Sequence, residues 1–245
     1  MKILLAPSET KSLGGNREFK LENLSFTNLN RVRGNLIDEY EAILKRGNFD
    51  ELKELFGLKK QEDIQKRIDE YFSNQAKEAI LRYTGVVFDY LDYLSLDESA
   101  KEYINNNVLI FSNLYGVVKP NDFILNYKLK QGAKVGSLKP EVLYKEALKD
   151  ILDKELENED ILDIRAGFYN KFYKPSKFYI TLKFLKNGKV VSHWAKAYRG
   201  LVLRYCAINS IQSIKDFISM PIEGLNLKEI RESKNSQEII YEVEQ

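Results

Sequence analysis

The sequence predicts a mixed α/β fold of the α+β kind, carried by a single compact domain over residues 1–245. Three observations lead to it. Short apolar runs of strand length alternate with longer stretches of helical periodicity. An Asn187-Gly188 turn lies between two runs of strand character. No internal repeat and no flexible linker divides the chain.

The elements follow in order. Residues 3–6 read as a short buried strand ended by Pro7, with a polar loop, 8–15, after it. Residues 28–72 carry a helical pattern broken at Gly47-Asn48 and at Gly57. Ser73-Asn74 is expected to cap a helix reaching Tyr83, and Asp97 one reaching Asn105. Residues 108–111 form a second buried strand, 140–156 a helix and 161–164 a third strand. The Asn-Gly turn predicts a hairpin pairing 177–186 with 189–198. In that register Phe178, Ile180, Leu182, Phe184, Val191, His193, Ala195 and Ala197 share one face. Residues 201–208 are apolar nearly all round, as in a buried helix. A short helix starts at Ser213, and 239–243 is a candidate last strand.

Composition excludes several chemistries. One His and one Cys cannot build a His/Cys zinc site, a haem pair or an iron–sulfur cluster within one chain. Iron or magnesium held by carboxylates has no motif, so no metal and no cofactor is expected. P-loop, dinucleotide-fingerprint and nucleophile-elbow motifs are absent. A Ser-His-Asp triad would need His193, which the hairpin register places on the apolar face. The sole cysteine, Cys206, allows no intrachain disulfide, which suits a reducing compartment. No run approaches the roughly 18 apolar residues of a membrane span, so a soluble, cytoplasmic protein with no membrane partner is expected. Oligomeric state is not legible.

Charge is the strongest functional signal. The total is only +2, from 38 basic and 36 acidic residues. Yet residues 165–215 hold eleven Lys and Arg and no acid, leaving the rest of the chain at −9. A second acid-free stretch, 123–140, adds Lys128, Lys130, Lys134 and Lys139. One-signed segments of this kind attract anions.

Five constellations translate that field into residues. On the predicted hairpin, Lys177, Lys183 and Lys196 interleave with Tyr179, Trp194 and Tyr198. Cations with flat rings suit nucleic acid, although a half-buried sheet face with lysine stems over aromatics reads the same way. Arg199 and Arg204 lie on or beside the apolar helix and each needs either an anion or a distant carboxylate. Leu55-Phe56-Gly57-Leu58-Lys59-Lys60 joins two amphipathic helices. This resembles a helix-hairpin-helix, in which Gly57, Lys59 and Lys60 would meet a phosphate, and also resembles any helical hairpin. Ser8, Thr10 and Lys11 follow the first strand and could hydrogen-bond an anion, or form an ordinary loop. The turn 113–120, with Lys119, occupies the equivalent place after the second strand.

Residues 111–120, Phe-Ser-Asn-Leu-Tyr-Gly-Val-Val-Lys-Pro, followed by Asn126-Tyr127, resemble the central signature of the peroxide stress protein YaaA family. Residues 194–201, Trp-Ala-Lys-Ala-Tyr-Arg-Gly-Leu, are similar to its second signature, and residues 6–11 to its opening loop. The resemblance implies a cytoplasmic bacterial protein of the hydrogen-peroxide response that limits free iron and protects DNA. It further implies a mixed α/β fold with a basic cleft, a helix-hairpin-helix and binding to double-stranded DNA. Lys119, Lys196 and Arg199 match signature positions, and the role implied for them is that cleft; no nucleophile is implied. Two functions are therefore expected to compete. One is sequence-independent binding of double-stranded DNA through Gly57, Lys59, Lys60, Lys119, Lys177, Lys183, Lys196, Arg199 and Arg204. The other is an enzyme acting on a small phosphorylated or carboxylated anion held by the same cleft.

Overall fold

The computed structural model describes residues 1–191 and 194–244. The first strand, β1 (Lys2–Leu5), is buried over Ile3, Leu4 and Leu5 and lies in the interior of the main sheet. After the short β2 (Arg17–Glu18) come three helices, α1 (Asn30–Arg46), α2 (Phe49–Phe56) and α3 (Gln61–Phe72). Their boundaries sit where glycine and capping chemistry put them. Gly47 and Gly57 end α1 and α2 in the left-handed region, at φ 66° and 68°. Asn48 caps α2 by accepting from the Glu51 amide at 3.1 Å.

Residues 73–83 depart from the expected helix. Asn74 adopts a positive φ and its side chain accepts from the Phe19 amide, after which β3 (Gln75–Glu78) runs extended. β3 pairs with β2 and with β6 (Phe123–Ile124) to form a separate three-stranded sheet. That pairing outweighs local helical preference, and only α4 (Ala79–Arg82) follows. Next come α5 (Val86–Leu91) and α6 (Glu98–Asn107), the latter capped by Asp97 as expected.

β4 (Val108–Ser112) is fully buried and turns back through Gly116 into β5 (Gly116–Val118). A Cβ on Gly116 would lie 2.6 Å from the Tyr144 ring, and its φ is +75°, so only glycine fits. α7 (Pro140–Glu155) leads to β7 (Ile161–Asp163), then β8 (Tyr179–Lys186) and β9 (Lys189–Val190). The chain ends in α8 (Ala195–Ile208), α9 (Ile214–Ser219), β10 (Leu225–Ser233) and β11 (Ser236–Val243). Main-sheet order is β10-β11-β8-β7-β1-β4-β5, with β9 also on β8. The five strands from β11 to β4 are mutually parallel, with antiparallel strands at the margins, so the fold is mixed α/β.

The hairpin is correct at its turn and wrong in its length. Lys186 pairs with Lys189 and Leu185 with Val190, but pairing does not continue as a strand to Tyr198. The same edge of β8 pairs with β7 at Ile180 and Thr181, which leaves no free ladder for a longer partner. Ala195 to Tyr198 are instead the first turn of α8. The interleaved basic-aromatic strand face therefore does not form, and His193 lies outside the described residues.

Two arginines are wholly buried without a carboxylate partner among the described residues. Arg33 donates to the carbonyls of Tyr115, Val117 and Ser25 at 2.6–3.0 Å, which holds the β4–β5 turn against α1. Arg82 donates to the carbonyls of Ser12, Gln75 and Ile124, and burial pushes its pKa down to about 10.

α8 packs against α5 through Gly200. A Cβ there would lie 2.2 Å from the Val87 carbonyl oxygen and 2.9 Å from Tyr90 Cβ. Gly200→Val is therefore expected to force the two helices apart and lower stability by about 1–3 kcal/mol, the usual range for overpacking. Urea denaturation monitored by circular dichroism measures it; an unchanged midpoint would contradict the close contact.

Candidate functional site

The C-terminal ends of β1, β4 and β7 lie side by side, because β1 sits between the other two and all three are parallel. In open α/β sheets this edge is where ligands bind. A cleft of about 510 Å³ occupies it here. The segment after β1 supplies Ser8, Glu9, Thr10 and Lys11; the turn after β4 supplies Asn113; the segment after β7 supplies Ile164, Ala166 and Tyr169. Lys196 and Arg199 close it from the N-terminal end of α8. Three residues apart on a helix, they share a face. As strand residues 196 and 199 they would have pointed to opposite sides.

The opening loop is a built structure. Lys11 bridges to Tyr83, Ser12 N donates to Arg82 O, and Thr84 N donates to Thr10 O. Thr10 Oγ1 donates to Thr84 O at 3.1 Å and lies 3.0 Å from Ser8 Oγ. Gly85 lets this loop approach, since a Cβ there would come within 3.1 Å of Thr10 Oγ1. The Lys11 ammonium reaches back to donate to Ser8 O at 3.2 Å, with the Tyr127 ring centroid 4.0 Å away. Burial sets its pKa well below the ordinary lysine value, and the charges of Lys128, Arg82 and Arg67 push the same way against Glu9. Burial raises Glu9, but the hydrogen bond and charge of Lys128 prevail and hold its carboxyl below the usual range.

Behind the loop Tyr127 Oη lies 2.9 Å from both Tyr83 Oη and Ser112 Oγ. Burial is the main cause of the rise in Tyr127, to about 12, so this hydroxyl stays protonated at neutral pH. On the other wall Arg165 makes a bidentate pair with Asp163, at 2.8 and 2.6 Å, and donates to Tyr169 O. Tyr169 Oη donates to Asn113 Oδ1 at 3.1 Å, tying the ends of β4 and β7 together. Arg199 is half-buried, and its Nε has no hydrogen-bond partner among the described residues. Burial lowers its pKa and the nearby Asp163 charge partly restores it.

The remaining predicted residues stand elsewhere. Gly57, Lys59 and Lys60 form the exposed turn between α2 and α3, with Lys130 packed on Gly57. Lys119 sits at the end of β5, its ammonium 5.8 Å from the Phe26 ring. Lys177 donates to the carbonyls of Glu157 and Glu159 just beyond α7, and Lys183 lies 3.7 Å from Glu238 on β11. Arg204 turns to the end of α5, donating to the carbonyls of Leu91 and Asp92. Its Nη1 also lies 3.8 Å from the Asp92 carboxylate, so the partners of Arg204 are two carbonyls and a distant acid. Tyr169, Gln131 and the 84–88 segment line the cleft without having been singled out; membership of the two acid-free stretches was the available signal for Tyr169 and Gln131.

Both internal signatures border this cleft, and residues 1–231 match the family described as peroxide stress protein YaaA. The chain belongs to that family. A Campylobacter jejuni protein of no stated function is 44% identical over 244 residues, covering 99% of each chain. UPF0246 proteins of Corynebacterium glutamicum and Malacoplasma penetrans are 31% and 32% identical over 230 residues, spanning 85% and 88% of this chain and 86% and 90% of their own. Membership supports a peroxide-stress role for this YaaA-family chain. Among the described residues, no group of three or more His, Cys, Asp or Glu is placed to hold a metal, and no helix is long and apolar enough to cross a membrane.

Lys11 gives the site a pH signature. Its folded pKa lies below the unfolded value near ~10.4, so between the two the unfolded chain binds more protons and rising pH favours folding. The stability of the wild type relative to Lys11→Met should therefore climb with pH across that window and level off above it. Urea midpoints of both proteins over an alkaline series test this; a constant difference would contradict it.

Proposed function

We propose that this YaaA-family protein binds double-stranded DNA without sequence preference and thereby protects it during peroxide stress in the cytoplasm. The observation that carries the reading is convergence. The two acid-free stretches, separated in sequence by residues 141–164, wall one cleft: 123–140 through Tyr127, Leu129 and Gln131, and 165–215 through Ala166, Tyr169, Lys196 and Arg199. The one acid lining it among the described residues, Glu9, is paired with Lys128.

Lys196 and Arg199 supply charge for phosphates, and the Ser8 and Thr10 hydroxyls supply hydrogen bonds. Contacts of this type go to the backbone and carry no sequence information. Lys59 and Lys60, exposed on the α2–α3 turn, extend the positive surface in the manner of a helix-hairpin-helix. Lys130, packed on Gly57, and Gln131, lining the cleft, are consecutive residues that join the two regions. Limiting iron-dependent oxidation follows from covering the duplex and calls for no bound iron.

One observation favours a second reading, a small phosphorylated or carboxylated ligand: the unpartnered Arg199 Nε beside the cleft. A compact anion would satisfy it as well as a phosphodiester does.

Gel-shift titration decides. With about five phosphates contacted, log K should fall against log salt with a slope near −4 to −5. Lys196→Glu should weaken binding to all duplexes alike, and Lys59→Glu with Lys60→Glu should do the same if the turn takes part. Absence of binding at low salt, together with a thermal shift caused by a nucleotide or inorganic phosphate, would overturn the DNA reading in favour of the small anion.

A further inference from the structure

The Lys11 amine is placed unlike any other cation of the cleft. It lines the cavity, yet among the described residues no carboxylate lies in ion-pair range of Nζ, and its hydrogen bond goes to a backbone carbonyl. Glu9 is engaged by Lys128 at 3.0 Å. The Tyr127 and Tyr83 rings cover the amine at 4.0 and 5.2 Å, and these faces favour the ammonium. Burial and three neighbouring cations, Lys128, Arg82 and Arg67, work against it more strongly. A surface salt-bridge lysine has none of these features; an amine with a neutral fraction facing an anion-attracting cavity is how a lysine nucleophile is prepared.

We propose that Lys11 is a nucleophilic amine that condenses with the carbonyl carbon of a phosphate-bearing aldehyde held in the cleft. The Nζ lone pair forms a bond to that carbon to give a carbinolamine. The carbonyl oxygen then leaves as water, carrying the two protons that the neutral amine gives up, and a C=N bond remains. No oxidant or reductant is consumed. Arg199 and Lys196 hold the phosphate, so the aldehyde is presented to the amine and not merely attracted to the surface. Two sources share this chemistry: a free phosphorylated aldehyde, and the ring-opened sugar of an abasic site, which is flanked by phosphodiesters in a DNA strand. The second source rests on the DNA-binding reading above; the amine chemistry does not.

Borohydride trapping separates the outcomes. The full-length protein is incubated with pyridoxal 5′-phosphate, or with a duplex oligonucleotide containing one abasic site, then reduced, digested and mapped by mass spectrometry. The expected result is a secondary amine on Lys11, formed in preference to exposed Lys59 and Lys60 and suppressed by inorganic phosphate. Arg199→Met should raise the pyridoxal phosphate concentration for half-labelling about tenfold, the loss of roughly one charge-assisted hydrogen bond. Labelling by the abasic duplex identifies DNA as the source of the aldehyde. Labelling by pyridoxal phosphate alone identifies a free phosphorylated aldehyde, while a gel shift with intact duplex reports on DNA binding separately. Lys11 labelled no faster than Lys59 and Lys60 by either probe would overturn the proposal. Because the mapping uses the wild-type chain, the result does not depend on whether a Lys11 variant folds.

Discussion

The parallel alignment of β7, β1 and β4 is the constraint on which the site depends. β1 lies between its neighbours, with Leu5 opposite Ile110 and Leu4 opposite Asp163, so all three strands end at one edge. Parallel strands need long crossovers, and those crossovers deliver chain from three distant parts of the sequence to that edge. The cleft exists because of this topology. Its residues run from Leu5 to Arg199, and no local feature of the chain would bring them together.

Buried polar groups then make the edge specific. Arg33 and Arg82 neutralise no acid; each gathers backbone carbonyls from segments that would otherwise leave them unpaired in the interior. Arg82 links Ser12, Gln75 and Ile124, joining the opening loop to the small sheet. Arg165 and Asp163 fix the exit of β7, and Tyr169 ties it to Asn113. A loop held on both sides presents its side chains at defined positions, which is what binding or chemistry requires. The cleft cations differ in environment as a result: Lys196 is exposed, Arg199 half-buried, and Lys11 covered by two tyrosine rings. Equal charges in sequence become unequal groups in space.

Much of this was legible beforehand. Gly47, Asn48, Gly57, Asp97 and Ser213 mark helix ends by their own backbone and side-chain chemistry, and the helices stop or start there. Residues 3–5, 108–111 and 161–163 are strands because unbroken apolar runs of that length bury well in a parallel sheet. Each acid-free stretch contributes residues to the cavity at the strand ends, Tyr127, Leu129 and Gln131 from one and Ala166, Tyr169, Lys196 and Arg199 from the other. What misled was pairing. Residues 189–198 and 75–78 each had a plausible local state, and in both the outcome turned on which sheet edge was open.

Composition, helix caps, the Asn187-Gly188 turn and charge segregation act over a few residues or over none, so the sequence alone determined helix ends, buried strands, the acid-free stretches and the family signatures. Strand neighbours, by contrast, are chosen between segments that local signals do not link, β1 pairing with β4 and β7 across more than a hundred residues, through hydrogen bonds and buried area that exist only after the chain has folded. Tertiary structure therefore decided that Lys196 and Arg199 stand on a helix and share one face. It decided that Arg204 closes the end of α5 while Arg199 stays beside the cleft, and that Lys11, one lysine among many in the sequence, is the half-buried amine under two tyrosine rings at the strand ends.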